Sequence, residues 1–183
     1  MAATSYVDIV ARPDADTTAS VLLSALFEQL HREFVACALT TVGVVFPEAR
    51  TGVGLGDRLR LCGPEEDLRS LAAMSWLLRA SDYYRVGALR EVPTDHERRV
   101  VRRLQPNLSA AKIRRLLKRG SVTEERAAEL LEGKGRLDAP FVQLRSSSSG
   151  QRFKLFFEQV SVGVGRAEDR FNAYGFGAAV PWF

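Results

Sequence analysis

The first 94 residues alternate between short strand signals and longer helical signals, and this order limits the folds open to the chain. The segment SYVDIVARP places Val7 and Ile9 on one face and stops at Pro13, which predicts a short first strand. The next segment, DTTASVLLSALFEQLHREFVACA, has a cap at Asp16 or Thr17 and leucines at helical spacing. It therefore predicts a long amphipathic helix.

Three more β-rich runs and a second helix complete the pattern. TTVGVVFP ends at Pro47, and DRLRLCG alternates leucine with arginine before Gly63, so we interpret them as antiparallel neighbours. PEEDLRSLAAMSWLLRA opens with Pro64 and acidic residues, which is typical of a helix start, and YYRVGALREVP is a fourth strand or an edge. The order βαββαβ is that of the ferredoxin-like split unit and predicts an α+β fold.

The composition changes near Pro93, which predicts a boundary between two domains. We expect a ferredoxin-like N-terminal domain over residues 1–94 and a smaller α+β C-terminal domain over residues 95–183. Between Arg98 and Arg119 there are nine basic residues and no acidic one, whereas the following TEERAAELLEG is acidic. PFVQLRSSSSGQRFKLFFEQV then predicts two strands joined by a hairpin turn.

The segment SAAKIRRLLKRG predicts an arginine-rich helix at about residues 109–119. On a helical wheel Ile113, Leu116 and Leu117 share an apolar arc, and the basic side chains fill the rest. Ser109 can cap the start and Gly120 can end the helix. A solvated face usually mixes charges of both signs, so this surface favours a nucleic acid over a membrane, an acidic protein or mere solubility.

The sequence argues against several other classes of protein. No apolar run reaches the roughly 18 residues of a membrane helix, and the N-terminus lacks the regions of a signal peptide, so we predict a cytoplasmic protein that binds no membrane. Cys37 and Cys62 lack zinc spacing, and we expect both to be buried. No cluster of Asp, Glu and His predicts a metal site, and we predict no cofactor.

A histidine would suit an RNA-cleaving site. RNA carries its own nucleophile, the ribose 2′-OH, so an enzyme needs only to remove that proton, align the oxygen and stabilise the developing charge. Histidine changes its charge near neutral pH. The chain has two histidines. On the helical wheel His31 lies beside Ser24 and Glu28, which predicts a position at a surface or cleft, and His96 is expected at the surface.

Six stretches in order resemble the type I-F CRISPR endoribonucleases that process precursor guide RNA. They are LFEQLHREF, VGVVFPEA, LGDRLRL, RLQ followed by the arginine-rich helix, PFVQLRSSSSGQRFKLFF and YGFGAAVPWF. The resemblance covers nearly the whole chain. It implies metal-independent cleavage at the 3′ base of a repeat stem-loop whose major groove holds the arginine-rich helix. It also implies that the product is kept within a surveillance complex with other subunits.

The resemblance implies a catalytic set and an RNA-binding set. In the catalytic set, His31 moves the proton, Ser146 holds the ribose and Tyr174 orients the histidine. Together with the basic run, it gives the predicted RNA-binding residues Arg102, Arg103, Gln105, Lys112, Arg114, Arg115, Lys118, Arg119, Ser148 and Phe153.

The resemblance also implies that Arg103 and Gln105 are the pair that reads bases near the foot of the stem. Arginine suits guanine and glutamine suits adenine, which fits this role.

Some alternatives stay open at the level of sequence. Any of the serines 146–149 could act at the site, and Tyr174 and Phe153 could be ordinary packing residues. The chain could also be a guide-binding subunit that does not cut. A third interpretation is a ferredoxin-like protein that binds duplex DNA. Such a protein would contact phosphates alone and would show little preference for a repeat hairpin over a DNA duplex.

Overall fold

A computed structural model describes residues 3–104, 114, 115, 117–120, 123, 124, 138–146, 149–162 and 167–183. In this part of the chain the strands form two antiparallel sheets, and the helices lie mainly in the first half. The predicted α+β class is therefore confirmed.

The first sheet is built from the first half of the chain. Its order is β2-β3-β1-β4, and β5 also pairs with β1. Every pairing in it is antiparallel. The elements in chain order are β1 (Ser5–Ala11), α1 (Ala19–Ala36), β2 (Gly43–Val45), β3 (Arg58–Gly63), α2 (Glu65–Ala72), α3 (Ser75–Arg79), β4 (Tyr84–Val86) and β5 (Arg90–Glu91).

The second sheet comes from the second half and has the order β7-β8-β6-β9. Its strands are β6 (Glu97–Leu104), β7 (Phe141–Arg145), β8 (Arg152–Ser161) and β9 (Ala179–Trp182). Strands β7 and β8 pair from Phe141↔Phe156 to Arg145↔Arg152, so the predicted hairpin is confirmed.

Helix α1 is confirmed, but the predicted cap at Asp16 or Thr17 is wrong, because the backbone N–H groups of both residues donate to Asp14 Oδ1 in the turn before the helix. Thr18, just before the first turn, accepts a hydrogen bond from the Val21 backbone N–H, which satisfies one of the unpaired donors of a helix start. The helix ends at Ala36, Cys37 is its C-cap residue, and Ala38 then takes a positive φ of 48°. The expectation that both cysteines are buried is wrong for Cys37, which is exposed because it follows the last turn, and correct for Cys62.

The predicted second helix is interrupted in the structure. Met74 has an extended backbone with φ −62° and ψ 130°, and it separates α2 from α3. Leu68 and Leu77 are both buried although they are nine residues apart, a separation of about 180° around one straight helix. The break therefore lets both leucines reach the core.

One apolar core extends through both sheets. Leu23 and Leu26 of α1 belong to the same buried cluster as Val142 and Leu155 of the second sheet, and α1 packs against β7. Hydrogen bonds cross the same boundary: the Gln143 N–H donates to Ser24 Oγ at 3.0 Å. The predicted domain boundary between residues 94 and 95 stays a prediction.

Candidate active site

His31 lies on α1 at the boundary between the buried and the exposed face of the helix, and is half-buried. The core-facing side of the helix carries Leu22, Leu26 and Leu30, all buried. The amphipathic pattern therefore holds the imidazole at the rim of the core. The sequence-based expectation that His31 lies at a surface or cleft is confirmed.

Two neighbouring groups of one loop hold the imidazole. His31 Nδ1 lies 2.6 Å from the Ala173 carbonyl oxygen, and the Tyr174 ring stacks on the imidazole with centroids 4.3 Å apart and planes 15° from parallel. A carbonyl oxygen can only accept a hydrogen bond, so Nδ1 carries the proton. In the neutral ring the lone pair is then on Nε2, the atom that could accept a proton from a substrate.

A cluster of buried aromatic rings forms the floor beneath this pair. Phe27 lies parallel to Tyr174 with centroids 6.3 Å apart and contacts Phe176 at 5.5 Å. Phe176 in turn contacts Phe157 at 5.8 Å, and Phe157 stacks on Phe46 at 5.0 Å. All four phenylalanines are almost fully buried. Close packing of this kind allows little movement, so the site has a rigid base.

Ser146 begins the turn of the β7–β8 hairpin. Its N–H donates to the Gln151 carbonyl at 2.8 Å, its carbonyl accepts from the Gly150 N–H at 2.8 Å, and its Oγ accepts from the Ser149 N–H at 3.3 Å. Ser146 continues the alternation of Val142 and Leu144, whose side chains enter the core that α1 covers. This alternation puts Ser146 on the sheet face that α1 covers. Ser148 lies outside the described residues.

The same face carries two of the residues predicted to bind RNA. Phe153 pairs with Leu144 across the hairpin, and Arg103 pairs with Phe157 across β6 and β8. Directly paired residues share a face, so both lie on the side of α1. Phe153 is half-buried against the core, and Arg103 is exposed.

Arg102 lies on the opposite face of the sheet. It pairs with Glu158 in the strand register, and its Nε donates to the Glu158 carboxylate at 2.5 Å. Adjacent residues of a strand point to opposite faces. The structure therefore separates Arg102 from Arg103, which the sequence had grouped together.

The arginine-rich helix is described only in part. Residues 114, 115, 117 and 118 are helical, and the N–H of Gly120 donates to the Leu117 carbonyl at 2.9 Å. Gly120 has a φ of 66°, which agrees with the prediction that it ends the helix. Arg114, Arg115, Lys118 and Arg119 are exposed. Gln105 and Lys112 lie outside the described residues.

The structure thus brings His31 and Tyr174 into direct contact, as the resemblance implies for an orienting tyrosine. Sequence reasoning missed the Ala173 carbonyl, because every residue carries a backbone carbonyl and no side-chain signal marks this one. Among the described residues, no group of three or more His, Cys, Asp or Glu could hold a metal ion. No helix in the described part of the chain is both long and apolar enough to cross a membrane.

Comparison with protein families gives a match over almost the whole chain. Residues 6–183 match the family described as CRISPR-associated protein (Cas_Csy4). The chain belongs to this family. Membership in the Cas_Csy4 family agrees with the resemblance to type I-F CRISPR proteins. The matched residues include the strands of both sheets.

Individual relatives are similar to this chain over almost their full length. The CRISPR-associated endonuclease Cas6/Csy4 of Pseudomonas aeruginosa (strain UCBPP-PA14) is 38% identical over 184 residues, covering 97% of this chain and 98% of the relative. The protein of the same name from Escherichia coli (strain UTI89 / UPEC) is 36% identical over 183 residues, with the same coverage of 97% and 98%. Among solved structures, the CRISPR endoribonuclease Cse3 bound to a 19-nucleotide RNA matches with a TM-score of 0.40 and 14% identity, covering 99% of this chain and 100% of that one.

Proposed function

We propose that this protein is the endoribonuclease that processes precursor guide RNA in a CRISPR system. It belongs to a family whose relatives in two bacteria are CRISPR-associated endonucleases. The observation that carries the proposal is the His31 imidazole, held at 2.6 Å by the Ala173 carbonyl and stacked on Tyr174. A histidine fixed in this way is suited to proton transfer.

The reaction needs only groups that the chain and the RNA supply. His31 Nε2 accepts the proton of the ribose 2′-OH, and the 2′-oxygen attacks the adjacent phosphorus in line with the leaving 5′-oxygen. The bond from phosphorus to that 5′-oxygen breaks, the leaving oxygen takes a proton from water, and His31 releases its proton to water. The products are a 2′,3′-cyclic phosphate and a 5′-OH end. Ser146 holds the ribose and Tyr174 keeps the imidazole in place, and no metal ion takes part.

The RNA is a repeat stem-loop cut at the 3′ base of its stem. The arginine-rich helix at about residues 109–119 binds the stem, and Phe153 stacks on the closing base pair. Arg103 reads a base near the foot of the stem. The position of Phe153 and Arg103 on the α1 face of the second sheet supports these roles, since His31 projects from that helix.

The same proposal covers the finer organisation of the protein. The order β1-α1-β2-β3-α2-β4 and the antiparallel arrangement β2-β3-β1-β4 support a ferredoxin-like first half. After cleavage the protein keeps the guide RNA and joins other subunits of a type I-F surveillance complex in the cytoplasm.

The direct test is cleavage of a synthetic repeat stem-loop in EDTA under single-turnover conditions. Because His31 acts as the general base, His31→Ala should lower the cleavage rate by about 10²–10⁴-fold and leave the RNA dissociation constant within about threefold. An RNA with one 2′-deoxy nucleotide just upstream of the cut should bind and stay intact. End analysis should find a 2′,3′-cyclic phosphate.

The matched control is His96→Ala, which removes the second histidine of the chain at an exposed position and should cut normally. Undiminished cutting by His31→Ala, or cutting of the deoxy RNA, would exclude the mechanism. Tight binding without any cutting by the unaltered protein would instead indicate a guide-binding subunit. Equal competition by a DNA duplex would indicate a protein that binds duplex phosphates without preference.

A further inference from the structure

The loop that touches His31 is organised by one side chain, Asn172. Its Oδ1 accepts hydrogen bonds from the Tyr174 N–H at 2.9 Å and from the Phe176 N–H at 3.2 Å. Its backbone N–H donates to the Phe176 carbonyl, and its carbonyl accepts from the Gly175 N–H, both at 2.8 Å. Asn172 therefore closes a short loop that contains both groups in contact with the imidazole, the Ala173 carbonyl and the Tyr174 ring.

The loop is also fixed to the body of the protein on either side. The Gly175 carbonyl accepts from the Val44 N–H of β2 at 2.9 Å, and the Phe171 N–H donates to the Thr40 carbonyl at 3.1 Å. Gly175 has a φ of 71°, and a Cβ there would lie 2.6 Å from Val44 Cγ2. These contacts fix the position of the two ends of the loop. The direction of the Ala173 carbonyl depends instead on the turn that Asn172 closes.

We propose that Asn172 is a positioning residue that determines which nitrogen of His31 carries the proton. By holding the loop, it keeps the Ala173 carbonyl directed at Nδ1, and the proton stays on that atom because a carbonyl can only accept. The lone pair is then on Nε2, the other ring nitrogen. Asn172 also presents Tyr174 for stacking through the bond to its N–H.

The consequence for the reaction rests on the proposed function, in which Nε2 takes the proton of the ribose hydroxyl. If the loop turned the Ala173 carbonyl away, a fraction of the protein molecules would carry the His31 proton on Nε2. In those molecules Nε2 has no lone pair, so His31 could not act as the base. Asn172 touches neither the RNA nor the imidazole in this scheme. Its loss should therefore lower the rate of the chemical step and leave RNA binding unchanged.

The protonation of His31 can be measured directly by ¹⁵N NMR of histidine-labelled protein. The chain has two histidines, so the spectrum of His96→Ala assigns the His31 signals. At a pH where the ring is neutral, we expect a protonated Nδ1 and an unprotonated Nε2. This measurement uses the unaltered protein and no RNA, so its outcome does not depend on cleavage. A His31 ring protonated on Nε2 would overturn the proposal.

Two variants then test the role of Asn172 itself. Asn172→Ala removes the acceptor, and we expect a mixed protonation of His31 and a fall of about 10²-fold in single-turnover rate, with the RNA dissociation constant within about threefold. Asn172→Asp keeps an oxygen at the Oδ1 position and should restore the Nδ1 proton and most of the rate. A structural role alone would change the unfolding midpoint and leave the NMR signature as it was.

The outcomes separate this inference from the proposed function. If Asn172→Ala keeps both the Nδ1 proton and the rate, Asn172 has no positioning role, and the His31→Ala test decides independently whether His31 is the base. If His31→Ala cuts normally, the proposed mechanism fails whatever the Asn172 variants do. Should Asn172→Ala not fold, the NMR spectrum of the unaltered protein and the Asn172→Asp rate still decide the question.

Discussion

Tyr84 and Cys62 are residues whose acidic protons are shielded from water by the fold. Tyr84 is buried beside α1, where its hydroxyl donates to the Leu22 carbonyl at 2.8 Å, and burial raises its pKa to about 12. Cys62 is buried in β3, and loss of solvation raises its pKa to about 12, an effect that the nearby Arg60 partly offsets. Both groups are therefore neutral in the folded protein well above neutral pH.

These raised pKa values predict a loss of stability in alkali. In the unfolded chain, cysteine and tyrosine release their protons at about pH 8.5 and 10, whereas the folded chain holds both protons to about pH 12. The unfolded state thus binds fewer protons in this window, so the free energy of unfolding falls as the pH rises through it. Below about pH 8 the contribution of both groups is complete.

Tyr84→Phe should make this decline shallower, by up to about 1.4 kcal/mol per pH unit between about pH 10 and 12. At neutral pH the variant should lose about 0.5–1.5 kcal/mol with the hydrogen bond to Leu22. Urea unfolding at a series of pH values measures both effects. Tyr83→Phe is the matched control, because Tyr83 is half exposed in the folded chain. Equal slopes for Tyr84→Phe and the unaltered protein would contradict the prediction.

For single residues, the sequence predicted candidate functional side chains but did not predict which backbone groups contact them. His31 could be singled out because the chain has two histidines and one lies beside Ser24 and Glu28 on the wheel of an amphipathic helix. Tyr174 needed the family resemblance, since a tyrosine between Ala and Gly is usually a packing residue. The Ala173 carbonyl and the role of Asn172 depend on how a loop folds back against α1, which no local pattern encodes.

Strand β6 shows how one element divides a basic run between two surfaces. Arg102 and Arg103 are consecutive, yet one forms an ion pair with Glu158 and the other is exposed on the α1 face. The sequence count of basic residues could not separate them, because charge density says nothing about which face a side chain occupies. Once the strand and its register are known, the alternation of side chains along the strand shows on which face each arginine lies.

This division predicts different effects of two chemically identical substitutions. Arg103→Ala should weaken binding of a cleavable stem-loop RNA by about tenfold or more, since a base contact contributes about 1–3 kcal/mol. Arg102→Ala should weaken it by less than about threefold, because its guanidinium is engaged with Glu158. Each variant removes one positive charge, so the long-range attraction to phosphate is matched. Equal losses of RNA affinity for the two variants in a filter-binding assay would contradict the prediction that the RNA contacts the α1 face of the sheet.

The elements themselves were predicted best where a periodic pattern extends over many residues. Helix α1 and the β7–β8 hairpin are confirmed because leucine spacing, alternation and turn residues all agree with the structure. The break between α2 and α3 was not predicted. It depends on the need to bury Leu77 against a core that the segment meets only in the folded chain.

Across the whole molecule, the two sheets share a core and are connected by hydrogen bonds as well. Gln159 of β8 donates through Nε2 to the Phe46 carbonyl at 2.8 Å and accepts at Oε1 from the Phe46 N–H at 3.0 Å. Phe46 itself follows β2, and its ring is fully buried against Phe157. If one half of the chain unfolded alone, the other half would expose the core residues that the two sheets share. We therefore expect both halves to unfold in a single transition.

The two tryptophans of the chain allow each half to be followed separately. Trp76 lies in α3 and Trp182 in β9, so Trp182→Phe leaves a reporter beside the first sheet and Trp76→Phe leaves one in the second. In each variant the fluorescence midpoint in urea should coincide with the far-ultraviolet circular dichroism midpoint. Comparison within one variant avoids any error from the stability change that the substitution itself causes.

Breaking the Gln159 bridge should lower the stability of both halves together. Gln159→Leu leaves the Phe46 N–H without its acceptor, so we expect a loss of about 1–3 kcal/mol that both tryptophan reporters record equally. Gln143→Leu, the same substitution at an exposed position of the same sheet, should change the free energy of unfolding by about 0.5 kcal/mol or less. If Gln159→Leu shifted only the Trp182 signal, the halves would unfold independently, and the boundary predicted between residues 94 and 95 would divide two separately stable domains.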